Sequence, residues 1–148
     1  MPPVWYSADG GNGWQPLVID THEISTTVNM DDLPGGHQGL FRVLASDGFY
    51  SVQDQSDAFF SSSRKPPSVT IMDPEDGQVY APGAWVVLQA LAYDQDEEDL
   101  PDENLTWVSD RDGALGQGWE VETTSLTPGW HTLTLTGTDD NGLSASDS

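Results

Sequence analysis

Two stretches of this chain alternate apolar and polar residues over the length of a β-strand, and long helical periodicity is missing. Trp85–Asp94 puts Val86, Leu88, Ala90 and Ala92 on one face, and Trp130–Asp139 puts Leu133, Leu135 and Gly137 on one face with threonines on the other. Period two is the pattern of antiparallel strands with one buried side. Further runs rich in Val, Thr and Trp, bounded by Gly, Pro, Asp and Asn, recur along the sequence, so the expected fold class is all-β.

Charge narrows the partners. Four Lys and Arg stand against 25 Asp and Glu, for a net charge of -21, which leaves almost nothing to neutralise phosphate. Nucleic acid and anionic membrane surfaces are therefore excluded as expected partners, while cations and neutral partners remain. Acidic, Lys-poor surfaces are also typical of proteins that work in high salt. No cysteine is present, so neither disulfides nor thiol chemistry can operate. No apolar run approaches the roughly 20 residues needed to span a bilayer, so direct membrane insertion is not expected.

Aligning the turns reveals an internal repeat. Trp5-Tyr6-Ser7-Ala8-Asp9-Gly10-Gly11 resembles Trp107-Val108-Ser109-Asp110-Arg111-Asp112-Gly113. Leu33-Pro34-Gly35-Gly36-His37 followed by Phe41–Gly48 resembles Leu126–His131 followed by Leu133–Gly142. Two copies of one module are expected, residues 1–63 and 68–148, joined by a stiff linker, 64–67, that contains Pro66 and Pro67. The second copy has two strands, Ser68–Met72 and Trp85–Asp94, ahead of its tryptophan strand; the first begins at that strand. The first module is thus expected to lack its N-terminal strands, and the last strand of the second to be cut short. Both features suggest a fragment of a longer repeat protein.

These residues resemble tandem fibronectin type III-like and immunoglobulin-like modules of the bacterial kind related to polycystic-kidney-disease-type and cadherin-like repeats. In the second module the resemblance rests on Pro67–Ile71 with Asp73–Gly77, Ala92-Tyr93-Asp94, Trp107–Gly118 and Gly129–Asp139; in the first, on Tyr6–Gly11, Leu33–Gly36 and Arg42–Gly48. It implies two β-sandwiches, an extracellular or cell-surface location, and a non-catalytic spacer or adhesion role beside neighbouring modules of the same protein. A cell-surface protein or glycan is the partner it implies, and calcium is common though not universal among such repeats. It also makes Trp107 the core tryptophan of the third strand, with Trp5 as its counterpart.

In such a sandwich the second and sixth strands end at one pole. Counting by twos, Asp94 is in phase with Val86, Leu88, Ala90 and Ala92, and Asp139 with Leu133, Leu135 and Gly137, so both carboxylates are expected to point inward there. Asp94 opens an acidic run with seven carboxylates in ten residues. Asp96, Glu98, Asp99 and Asp140 are the candidates to complete an oxygen shell with Asp94 and Asp139, and calcium suits such a set better than magnesium or zinc. The run is not an EF-hand, because Asp99 and Leu105 stand where glycine and glutamate are required. A cation there would also stiffen the joint if the loop Asp31–Gly36 of the first module faced it. The competing reading makes Asp94 and Asp139 turn caps in a solvated acidic loop.

Six tryptophans invite a carbohydrate-binding alternative, with Trp14, Trp119 and Trp130 as the candidate ligand-binding platforms. A third alternative is a self-assembling filament in which neighbours supply the missing strands. No enzyme is expected: His22-Glu23 lacks the second histidine of a metalloprotease motif, Ser61-Ser62-Ser63 has no positioned base, and Glu120 and Glu122 share a strand face without a cleft.

Overall fold

The computed structural model of the protein describes residues 3–19, 25–96 and 99–148. It is all-β, and it divides into two compact units, Met1–Arg64 and Lys65–Ser148.

The second unit is a two-sheet sandwich. β6 (Ser68–Asp73), β7 (Val86–Tyr93) and β10 (Glu120–Thr123) form one sheet in the order β10-β7-β6. β8 (Leu105–Ser109), β9 (Gly113–Gln117), β11 (Leu133–Thr138) and β12 (Ser144–Asp147) form the other, in the order β12-β11-β8-β9. Every pairing is antiparallel. The alternating residues meet between the sheets: Val86, Leu88 and Ala92 from β7 and Val121 from β10 pack with Leu105, Trp107 and Leu135 from β8 and β11. Trp107 is fully buried and its Nε1 donates to the Gly118 carbonyl at 3.0 Å, so its one polar atom is satisfied inside the core.

Both alternating stretches form shorter strands than their pattern suggests. Trp85 lies outside β7 and is exposed, and β11 begins at Leu133 rather than Trp130. For β11 the cause is local: residues 127–132 are tied to the β8–β9 turn, with Thr132 N donating to Asp110 Oδ1 at 2.8 Å and Asp110 N to the Thr132 carbonyl at 3.0 Å. The Thr132 N–H is thus taken by a side chain before the ladder starts at Leu133.

The first unit is built on a single sheet, β2-β1-β3-β4, from β1 (Val4–Ser7), β2 (Gln15–Val18), β3 (Gly36–Ser46) and β4 (Ser51–Gln55), with β5 (Phe60–Ser62) also paired to β3. Taken in chain order, this arrangement repeats β9-β8-β11-β12 of the second unit. Among the described residues of the first unit there is no counterpart of β6, β7 or β10. β10 exists by pairing with β7, Glu120 opposite Gln89 through Thr123 opposite Val86, and the described residues of the first unit offer no such edge. Part of that segment packs instead, with Leu33 buried and the Tyr6 hydroxyl donating to the Pro34 carbonyl at 2.8 Å.

One sequence expectation is overturned here. The counterpart of Trp107 is Tyr6, not Trp5. Tyr6 is 1 % exposed and Val4 is buried, while Trp5 is half-buried on the opposite face. The register agrees: Tyr6 lies opposite Phe41 and Val4 opposite Val43, as Trp107 lies opposite Leu135 and Leu105 opposite Gly137. A slip of one residue exchanges the two faces of a strand, so matching Trp to Trp put the wrong face inward.

Candidate functional site

Strand register sets the level of Asp94 and Asp139. Ile71 pairs with Ala90, and its backbone N donates at 2.8 Å to Asp147 Oδ2, whose residue pairs with Leu135. Two residues along, Val69 pairs with Ala92, and a Cβ added at Gly137 would lie 2.5 Å from Val69 Cγ1. Ala90 and Leu135 are therefore level across the core, Ala92 and Gly137 are level, and β7 and β11 run in the same direction in facing sheets. One further step along each strand brings Asp94 and Asp139 to the same height at the mouth.

Both residues are buried, Asp94 at 0 % exposure and Asp139 at 4 %. Asp94 Oδ1 accepts from Asp96 N at 2.6 Å, and Asp139 Oδ1 accepts from Asn141 N at 2.9 Å and Leu143 N at 2.7 Å. The turn-cap role is thus filled by one oxygen of each carboxylate. The second is not needed for it: Asp139 Oδ2 is buried with no hydrogen-bond partner, and Asp94 Oδ2 is likewise shut off from solvent.

The other expected ligands are placed less centrally. Asp96 is half-buried and its Oδ2 accepts from Lys65 N at 2.8 Å, which fastens the start of the unit to this pole. Asp99 and Asp140 are exposed, with Asn104 Nδ2 donating to Asp140 Oδ1 at 3.4 Å. Glu98 lies outside the described residues, as does His22. Among the described residues no three Asp, Glu or His side chains stand close enough to grip one ion. Asp31 and Asp32 belong to a short 3-10 turn in the first unit, capped by Asn29.

The three candidate indoles differ in environment. Trp14 lies under the Arg42 guanidinium, 3.6 Å from its ring centroid, and its Nε1 donates to the Gly11 carbonyl. Trp119 packs against the core of the second unit and donates to the Leu100 carbonyl at 3.0 Å. Packing thus occupies both. Trp130 is 78 % exposed and lines a groove of about 750 Å³ with Tyr80, Pro82, Thr127 and His131. This groove includes Ala84 and Val86 at the start of β7, the opposite end of the strand from Asp94.

Beside the groove is a cluster that the sequence did not suggest, because His131 is far from Ser109 and Asp112 in the chain. Ser109 Oγ lies 2.9 Å from His131 Nδ1, Asp112 Oδ2 lies 3.6 Å from the same nitrogen, and His131 Nε2 lies 2.6 Å from the Thr127 carbonyl. A hydrolytic triad needs the serine and the carboxylate on opposite ring nitrogens. Here both are on one, the other faces a carbonyl, and Ser109 is buried. The cluster is a clamp between the β8–β9 turn and the loop before β11.

Asp112 accepts from Thr127 N and Thr127 Oγ1, each at 2.9 Å. The Thr127 N–H chiefly, helped by the Thr127 hydroxyl and the charges of His131 and Arg111, holds this carboxyl below its ordinary value of 3.8. A depressed carboxyl stabilises the fold above the unfolded value and loses that effect as pH falls through the folded one. Asp112→Ala is therefore expected to lower stability at neutral pH by an amount that shrinks below about pH 3.8, measured as the difference between urea melts of the two proteins across pH.

No protein-family model, curated protein or solved structure matches this chain.

Proposed function

We propose that this chain is a non-catalytic spacer or adhesion segment of a larger secreted or surface protein, made of immunoglobulin-like and fibronectin type III-like modules. The observation that carries this reading is the recurrence of one strand order, β2-β1-β3-β4 and then β9-β8-β11-β12, in successive units. Repetition of a sheet is how a chain gains length without a new fold, and each unit keeps its own core. The side chains richest in chemistry support the same reading, since Ser109, Asp112 and His131 tie loops together.

A second reading has its own observation. In the second unit the inner face of the four-stranded sheet is covered by β10-β7-β6, whereas in the first unit the corresponding face carries Val43 and Val52, exposed by 39 % and 69 %. A second copy of this chain supplying strands to that face would build a filament. Sedimentation over a wide concentration range decides between them. The spacer reading expects a monomer throughout, and association that Val52→Asp abolishes favours assembly instead.

A further inference from the structure

We propose that Asp94 and Asp139 form a calcium site at the mouth of the second unit. The proposal stands on that unit alone and does not depend on the spacer reading. Three observations carry it: register sets the two carboxylates level across the sandwich, both are buried, and Asp139 Oδ2 has no hydrogen-bond partner. A buried carboxylate oxygen left without a donor is costly, and a second buried carboxylate level with it adds repulsion. A cation between them relieves both penalties.

The cap geometry fixes Asp139 without using up its second oxygen. The bonds from Asn141 N and Leu143 N anchor Asp139 Oδ1, so Oδ2 is held in place before any ion arrives. Preorganisation of this kind spares the ion the entropy of ordering its ligands. Gly137, one inward position before Asp139, lets Val69 pack directly against the backbone of β11, since a Cβ there would lie 2.5 Å from Val69 Cγ1.

The donor set selects the ion. Oxygen-only ligands from carboxylates suit calcium or magnesium and disfavour zinc, which prefers nitrogen and sulfur. Two carboxylates supply at most four of the six to eight oxygens calcium accepts, so water and backbone carbonyls complete the shell. Magnesium demands a near-ideal octahedron, which this pair of anchored carboxylates does not dictate. Affinity is expected in the weak range of extracellular modules, with Kd of about 10⁻⁴–10⁻³ M. In the first unit the corresponding position is Ala45, three residues before Gly48 as Asp139 stands three before Gly142.

The test is calorimetric titration and thermal melting of the whole chain with calcium, with magnesium at equal ionic strength, and with chelator. Wild type is expected to bind one calcium saturably. At a hundred-fold excess over Kd, its folding equilibrium constant rises about a hundred-fold. Asp139→Asn keeps the Oδ1 acceptor for the turn and removes the charge, so it is expected to fold, to be at least as stable as wild type in chelator, and to bind calcium at least ten-fold more weakly. Asp94→Asn should behave alike, and Asp99→Asn should match wild type. Absence of a calcium response in the wild type overturns the proposal, as does an equal response in Asp139→Asn. Equal stabilisation by magnesium in every variant means general screening of a protein of net charge -21, and overturns it too.

Discussion

Trp107→Ala is expected to unfold the second unit, or leave it so close to its midpoint that mild warming completes the transition. Trp107 has no exposed surface and joins the two sheets, packing with Leu88, Leu105 and Leu135. Truncating a buried tryptophan costs about 3–5 kcal/mol through lost burial and the cavity left behind. The change also takes away the Nε1 donor to the Gly118 carbonyl, on the tight turn between β9 and β10. A domain of this size has a total stability of only about 4–12 kcal/mol, so one substitution consumes a large part of it. Urea melts followed by tryptophan fluorescence and far-UV circular dichroism provide the measurement, with Trp130→Ala as the control. Trp130 projects from a loop and is mostly exposed, so its loss should shift the midpoint little. Comparable losses from both variants would mean that the core is not centred where the packing puts it.

The sandwich of the second unit was largely legible in the sequence because its strands are buried on one side only. Alternation through Val86, Leu88 and Ala92, and through Leu133 and Leu135, is a direct imprint of that geometry. The same count by twos brought Asp94 and Asp139 to the core face, and both are buried. Alternation is silent on which oxygen of a carboxylate is used and on which neighbours approach from elsewhere in the chain. The clamp of Ser109, Asp112 and His131 was hidden for that reason, since it depends on loops that meet only after folding. Strand ends were misplaced at Trp85 and at Trp130; after the latter, the Asp110 carboxylate takes the Thr132 N–H that a ladder would use. Identity of residue type was the least reliable guide, as the Trp5 assignment illustrates.

That assignment yields the other large expected effect. Tyr6→Ala should destabilise the first unit by about 3–5 kcal/mol, while Trp5→Ala, one residue earlier, should cost about 1 kcal/mol. Tyr6 lies against Phe41 and Phe60 with ring centroids 5.6 and 6.0 Å away, and those two rings stack on each other at 5.1 Å. Its hydroxyl donates to the Pro34 carbonyl and lies 3.2 Å from Ser62 Oγ, so one side chain ties β1 to the segment ahead of β3 and to β5. Trp5, opposite Arg42 and Pro16, is on the other face and half-buried. Tyr6→Phe separates the two contributions: it keeps the rings together and leaves the Pro34 carbonyl without this donor, at a cost of about 1–3 kcal/mol. The expected order of loss is Tyr6→Ala, then Tyr6→Phe, then Trp5→Ala, read from chemical denaturation of the first unit within the intact chain. If Trp5→Ala proved the most damaging of the three, the faces of β1 would be reversed. The two tryptophan strands would then be equivalent residue for residue, and the first unit would turn its apolar face away from Leu33 and Phe60.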